Sequence, residues 1–121
     1  MHPFRVAVQS GEISQIREML APEVKLYSPV PFRPFEGRET VWAVLQALWS
    51  VTDEIEYTDE LTGEDTVALI SRLRIGGRDG EAVQLLRLNP EGQIVSITDM
   101  LRPQSAVQSL IEALGSRAVA T

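Results

Sequence analysis

Between Thr66 and Leu101 the chain reads as three apolar runs with only short breaks between them: "TVALISRLRI", "EAVQLLRL" and "QIVSITDML", separated by "GGRDG" and "NPEG". Runs of this length, bounded by glycine-containing turns, predict successive antiparallel strands joined as hairpins. In the first run Val67, Leu69, Ser71, Leu73 and Ile75 alternate with Ala68, Ile70, Arg72 and Arg74. A two-residue period puts the first set on the core face and both arginines on the other. In the last run Val95, Ile97 and Leu101 fall at two-residue spacing around Asp99, so a carboxylate is expected on an apolar wall.

Three helical patterns supply the layer that such a meander packs against. The first runs roughly from Pro3 to Leu20 with a break at "SGE" (Ser10 to Glu12). After the break Ile13, Ile16, Met19 and Leu20 recur at helical spacing, and Ser10 or Ser14 can cap. The second, Arg38 to Val51, carries Val41, Trp42, Leu45, Leu48 and Trp49 on one broad face, with Glu39 in the first turn where its charge suits the helix dipole. The third, Ser105 to Leu114, follows Pro103 and is expected to stop at Gly115. One strand is expected before the second helix, and "EIEYTDEL", which alternates only partly, supplies another after it. This order predicts an α+β fold, with about three helices on one face of a curved antiparallel sheet. At 121 residues the chain is expected to form one domain, 1–121, long enough to bury a core.

Composition removes several functions. A net charge of -6 argues against nucleic acid as partner, since that needs a basic footprint. There is no cysteine, so disulfides, thiolate metal sites and a cysteine nucleophile are excluded. The single histidine, His2, is expected at a frayed terminus, which leaves neither a Ser-His-Asp triad nor a histidine-rich metal site. No apolar run reaches membrane-spanning length, and Met1 to Ser10 lacks the charged and apolar regions of a signal peptide, so a cytoplasmic protein is expected. "GGRDG" lies between strands with no helix to receive an anion, so it is not a phosphate loop, and no cofactor is expected.

Four segments carry a family resemblance across nearly the whole chain: "SGEISQIREML", "VKLYSPVPFRPFEGRE", "LLRLNPEGQIVSITDMLRP" and the closing helix. In their order and spacing the chain resembles the nuclear transport factor 2-like superfamily, which includes SnoaL-like polyketide cyclases, ketosteroid isomerases and limonene epoxide hydrolases. The resemblance implies a cone-shaped, cystatin-like α+β roll whose interior opens into an apolar pocket. It also implies a small hydrophobic ligand, and a homodimer formed through the outer sheet face. The superfamily hosts enzymes and non-enzymes, so each site position matters.

The ketosteroid isomerase set is absent. Its base would fall nine residues before Gly37, at Ser28; its tyrosine seven before Gly11, at Phe4; its protonated acid three before Arg87, at Gln84. The limonene-type hydrolase pattern is half present. Asp99, seven residues after Gly92, matches the last-strand aspartate and Arg72 can match the arginine, but Arg74 stands where a second acid is needed. Asp99 also resembles the general base of SnoaL-like cyclases, whose assisting histidine His2 cannot supply.

Asp99 is therefore the candidate general acid or base, against the alternative of a structural aspartate paired with Arg72, Arg74 or Arg102, or capping a turn. Gln84 shares a face with Leu86 and Leu88 and can orient a substrate carbonyl or hydrogen-bond Asp99; alternatively it faces a dimer partner. "YSPVPFRPFEGRE" reads as a proline-stiffened rim that brings Phe32 and Phe35 to the pocket mouth, beside Ser28. Trp42 and Trp49 are core residues by default, with pocket lining compatible. Tyr27 and Tyr57 can each present a hydroxyl, Tyr27 being better placed, and Leu101 completes the wall. Asp53-Glu54 and Asp59-Glu60 are neighbours in strands, point to opposite faces and read as solvated charge. The expectation is a cofactor-independent isomerase, cyclase or epoxide hydrolase-like enzyme; the alternative is a non-catalytic ligand-binding or dimeric interaction domain.

Overall fold

The computed structural model describes residues 1–118. A first helix α1 (Pro3–Ser10) and a 3-10 segment (Ile13–Met19) precede strand β1 (Leu20–Tyr27) and a short β2 (Phe35–Glu36). Helix α2 (Arg38–Ser50) then leads into β3 (Thr52–Thr62), β4 (Thr66–Ile75), β5 (Arg78–Leu88) and β6 (Ile94–Arg102), followed by α3 (Gln104–Ala118). All six strands form one curved, unclosed sheet in the order β2-β1-β6-β5-β4-β3. The fold class is α+β, as expected. The sheet is not purely antiparallel, however, because β1 pairs with β6 in parallel. A helix and the whole meander separate these two strands, and a connection that long allows parallel pairing where a tight hairpin cannot.

Local chemistry explains the boundaries. Pro3 opens α1, and the Nδ1 atom of His2 accepts the Phe4 N–H at 3.1 Å as its cap. His2 is thus tied into the structure rather than frayed. Gly11 ends the helix with φ of 79°, a left-handed conformation that glycine adopts without a side-chain penalty. This is the break expected at "SGE". The β4–β5 hairpin turns tightly on Gly76 and Gly77, at φ of 57° and 80°, so Arg78 to Gly80 already belong to β5. Helix α3 continues past Gly115 to Ala118, correcting the expected stop; a glycine inside a helix costs only about 1 kcal/mol.

Irregularities in β3 and β6 reset the alternation near the site. In β3 the pairing shifts between Tyr57 and Asp59, leaving Thr58 as the additional residue. Ile55 and Tyr57 face inward before the bulge and Glu60 is half-buried after it, which is why "EIEYTDEL" alternates only partly. Glu60, expected to be solvated, accepts the His2 backbone N–H at 2.9 Å and lies 3.4 Å from Arg5. In β6 the pairing jumps from Leu88↔Ile94 to Arg87↔Ser96. Val95 is the unpaired residue, and Ile94 takes the buried place expected for it.

The core gathers Phe4 and Ile16 from the first segments, Leu26 from β1, Val41 and Leu45 from α2, and Leu69, Leu86, Ile94 and Ile97 from the meander. Phe35 and Trp42 pack against its edge, and Trp42 meets Trp49 edge-on at 6.2 Å. Gly80 marks where α3 comes closest to β5. A Cβ at Gly80 would stand 2.8 Å from the Ala106 Cβ and 2.9 Å from the Arg102 carbonyl oxygen. Gly80→Ala is expected to cost about 1–3 kcal/mol, read as a lower urea midpoint at unchanged m-value. An unaltered midpoint would mean that α3 tolerates displacement from the sheet.

Candidate functional site

A cavity of about 60 Å³ lies between the sheet and the two helices α2 and α3. Its apolar wall includes Leu45, Leu48 and Trp49 of α2, Ile55 of β3, Leu73 of β4 and Leu110 of α3. Strand alternation delivers three polar side chains to the same space: Ser71 from β4, Gln84 from β5 and Asp99 from β6. Gln84 and Asp99 are direct cross-strand partners, as are Tyr57 and Ser71. Side chains opposite one another on one face of an antiparallel pair are near neighbours, so four strands assemble one polar group.

Within it, the buried Tyr57 hydroxyl donates to Gln84 Oε1 at 2.8 Å. That bond turns the carbonyl end of the amide toward Tyr57 and leaves its NH₂ end as a donor for the Asp99 side. Asp99 Oδ1 is buried without a hydrogen-bond partner. Burial pushes the Asp99 pKa from its ordinary 3.8 up to about 7, with hydrogen bonding from Gln84 pulling more weakly the other way. Tyr57 is pushed up as well, first by burial and then by the negative charge of Asp99, while Arg5 opposes the shift. Tyr57 therefore stays a protonated donor at neutral pH. The Arg5 guanidinium lies 5.8 Å from the centre of the Tyr57 ring, which backs the tyrosine with a cation–π contact.

The alternative of a structural ion pair at Asp99 does not form among the described residues. Arg102 pairs with Glu81 and Arg74 with Asp79, while Arg72 is exposed and outside this cavity. Both Arg72 and Arg74 lie on the face away from the cavity, as the β4 alternation predicts.

The other candidate residues are placed as follows. Leu101 lines the cavity with Asp99 and Gln84. Phe32, Phe35, Trp42, Tyr27 and Ser28 are not among the lining residues. Phe32 is 99% exposed, because residues 28–34 swing out between two paired strands and only Phe35 is drawn back, opposite Leu26. Tyr27 is exposed at the end of β1, and Ser28 turns its Oγ to the Val30 N–H at 3.4 Å. Trp42 lies toward the core side of α2, leaving Trp49 to face the cavity. The loop contributes Pro29 instead of a phenylalanine. Sequence reasoning ranked Tyr27 above Tyr57 and gave Ser71 no role. The signal for both was two-residue spacing: Tyr57 follows Ile55, and Ser71 sits between Leu69 and Leu73.

A curved sheet that brings a half-buried aspartate, its Oδ1 fully buried, to a small apolar cavity under two helices defines the class: an α+β roll with a mainly apolar interior. The SnoaL-like domain family matches residues 3–97, and the chain belongs to that family. Among solved structures it is similar to an uncharacterised protein with a cystatin-like fold from Silicibacter pomeroyi. That similarity has a TM-score of 0.90 and 29% identity over 98% of this chain and 87% of the other. A steroid delta-isomerase from Pseudomonas aeruginosa shares the fold at TM-score 0.84 and 24% identity, covering 99% and 95% of the two chains. A candidate SnoaL-like polyketide cyclase from Jannaschia does so at TM-score 0.70 and 18% identity, covering 89% and 84%. No curated protein matches. Among the described residues, no helix is long and apolar enough to cross a membrane.

The raised Asp99 pKa has a thermodynamic consequence. Below pH 4 the carboxyl is protonated in folded and unfolded chains alike; between about pH 4 and pH 7 only the unfolded chain releases the proton. Stability is therefore lost as pH rises through that window, by at most about 4 kcal/mol. Asp99→Asn is expected to melt like the parent at pH 4 and above it at pH 8, followed by circular dichroism. Equal melting temperatures at both pH values would place the carboxylate in contact with water. Tyr57→Phe is expected to cost about 1–3 kcal/mol in urea unfolding, because Gln84 Oε1 is left buried and unpaired; no loss would show that the amide finds another donor.

Proposed function

We propose that residues 1–121 act as one cofactor-independent enzyme domain of the SnoaL-like type. Asp99 transfers a proton to or from carbon beside the carbonyl of a small hydrophobic ligand. The observation that carries this reading is the buried, unpartnered Asp99 Oδ1 facing an apolar cavity, with a pKa of about 7. A base titrating near neutrality combines a usable deprotonated fraction with real proton affinity. Gln84, held by Tyr57, orients the ligand, and Leu101 with the α2 side chains excludes water. The isomerase and cyclase among the fold relatives favour proton transfer at carbon. An epoxide hydrolase mechanism of the limonene type is less well supported, because its arginine position, Arg72, points away from the cavity.

The cavity admits the reactive end of a ligand rather than an entire steroid, since pockets that enclose drug-sized molecules run to hundreds of Å³. A homodimer through the outer sheet face is supported by Met100, half-exposed there beside Ile70 and Val83. The acidic, cysteine-free composition is consistent with a cytoplasmic protein. The small cavity also favours, as second reading, a domain that binds an apolar ligand without turning it over.

The two readings separate in one experiment. A panel of small ketones and enones is screened by thermal shift, and those that bind are followed by NMR for deuterium uptake beside the carbonyl. Uptake is expected to rise with pH through about 7 and to fall at least about 100-fold in Asp99→Asn while binding survives. Binding without uptake above the buffer rate leaves the non-catalytic reading.

A further inference from the structure

We propose that Ser71 is the ligand-recognition group of this cavity. It hydrogen-bonds a single oxygen of a neutral, otherwise apolar molecule, either a carbonyl or a hydroxyl. The inference rests on reading the cavity as a ligand site but does not require Asp99 to be catalytic.

Ser71 is 0% exposed, its Oγ is buried with no hydrogen-bond partner, and it lines the cavity. It occupies an inward position of β4 whose other members are Val67, Leu69, Leu73 and Ile75, so a hydroxyl there carries a desolvation penalty that alanine would avoid. The hydroxyls around it are committed elsewhere. Tyr57, opposite Ser71 on β3, donates to Gln84, and the Thr52 hydroxyl donates to the Leu48 carbonyl at 2.8 Å. Among the described residues that line this cavity, two therefore carry a buried oxygen without a partner, Ser71 Oγ and Asp99 Oδ1. A hydroxyl can donate and accept, so it suits either a carbonyl or an alcohol.

The charges around the cavity narrow the ligand class. Among the described residues no lysine, arginine or histidine lines it, so a carboxylate or phosphate would find no counter-ion there and would meet Asp99. Leu45, Leu48, Ile55 and Leu73 offer no hydrogen bond to a second polar group on the ligand, while the Trp49 indole N–H and the Gln84 NH₂ end can only donate, which again favours a neutral ligand oxygen. What fits is a small ketone, enone or alcohol with one oxygen directed at β4.

The test compares cyclohexanone with methylenecyclohexane, which has nearly the same shape and no oxygen. Binding to the full chain is followed by amide NMR shifts in the parent, Ser71→Ala and Asp99→Asn. The parent is expected to bind the ketone about fivefold or more tightly than the hydrocarbon, Ser71→Ala to bind both equally, and Asp99→Asn to keep a preference. The proposal is overturned if the parent shows no preference or binds neither probe, neither of which needs a variant to fold. It is also overturned if Ser71→Ala retains the full preference. A parent that shows no preference yet catalyses deuterium uptake beside the ligand carbonyl removes Ser71 alone, whereas a preference that Ser71→Ala abolishes, without uptake in the parent, supports Ser71 and removes the catalytic reading.

Discussion

Strands β4 and β5 are joined by ten successive residue pairs, from Thr66↔Arg87 to Ile75↔Arg78, with no irregularity. Everything at the site depends on that register. Side chains alternate with a period of two, so a one-residue slip of β4 would turn Ser71 outward and bring Arg72 and Arg74 toward the cavity. The register is pinned at one end by Gly76 and Gly77, whose positive φ values permit a two-residue turn. It passes to β6 through Gln84↔Asp99, which sets the acid opposite the amide.

Against this frame the Asp99 carboxyl sits where a structural aspartate has little reason to be. It has no arginine partner among the described residues, and burial raises its pKa to about 7. The folded chain thus gives up stability near neutral pH to keep a carboxyl beside an apolar cavity. The support around it is polar but not cationic: Tyr57 holds Gln84, and Arg5 touches Tyr57 from the far side. The β3 bulge completes that support, because it turns Glu60 inward to meet Arg5 and the His2 backbone.

The chain shares its fold with a steroid delta-isomerase, and the three positions where the sequence resemblance would place isomerase groups hold Phe4, Ser28 and Gln84. Phe4 is buried in the core, Ser28 lies outside the cavity, and Gln84 occupies the position expected for the protonated acid. Gln84 remains in the cavity as a donor, and the acid stands one strand away at Asp99. Fold and site chemistry are thus separate properties of this sheet.

Periodicity and turn chemistry made the α+β order, the three-strand meander, the Gly11 break and the apolar wall around Asp99 and Leu101 legible in the sequence, and left Gln84 open between the cavity and an outer face. These are local consequences of a two-residue or 3.6-residue repeat and of glycine's freedom at positive φ. Three features were not legible: the parallel β1–β6 pairing, the register shifts at Thr58 and Val95, and the outward swing that leaves Phe32 99% exposed. Each depends on which distant strand a segment meets, and no local pattern encodes that. The same limit hid the cavity roles of Tyr57 and Ser71. Their sequence spacing placed them on the inner face, but only the register that sets Gln84 beside Tyr57 decided which hydroxyl was satisfied and which was left without a partner.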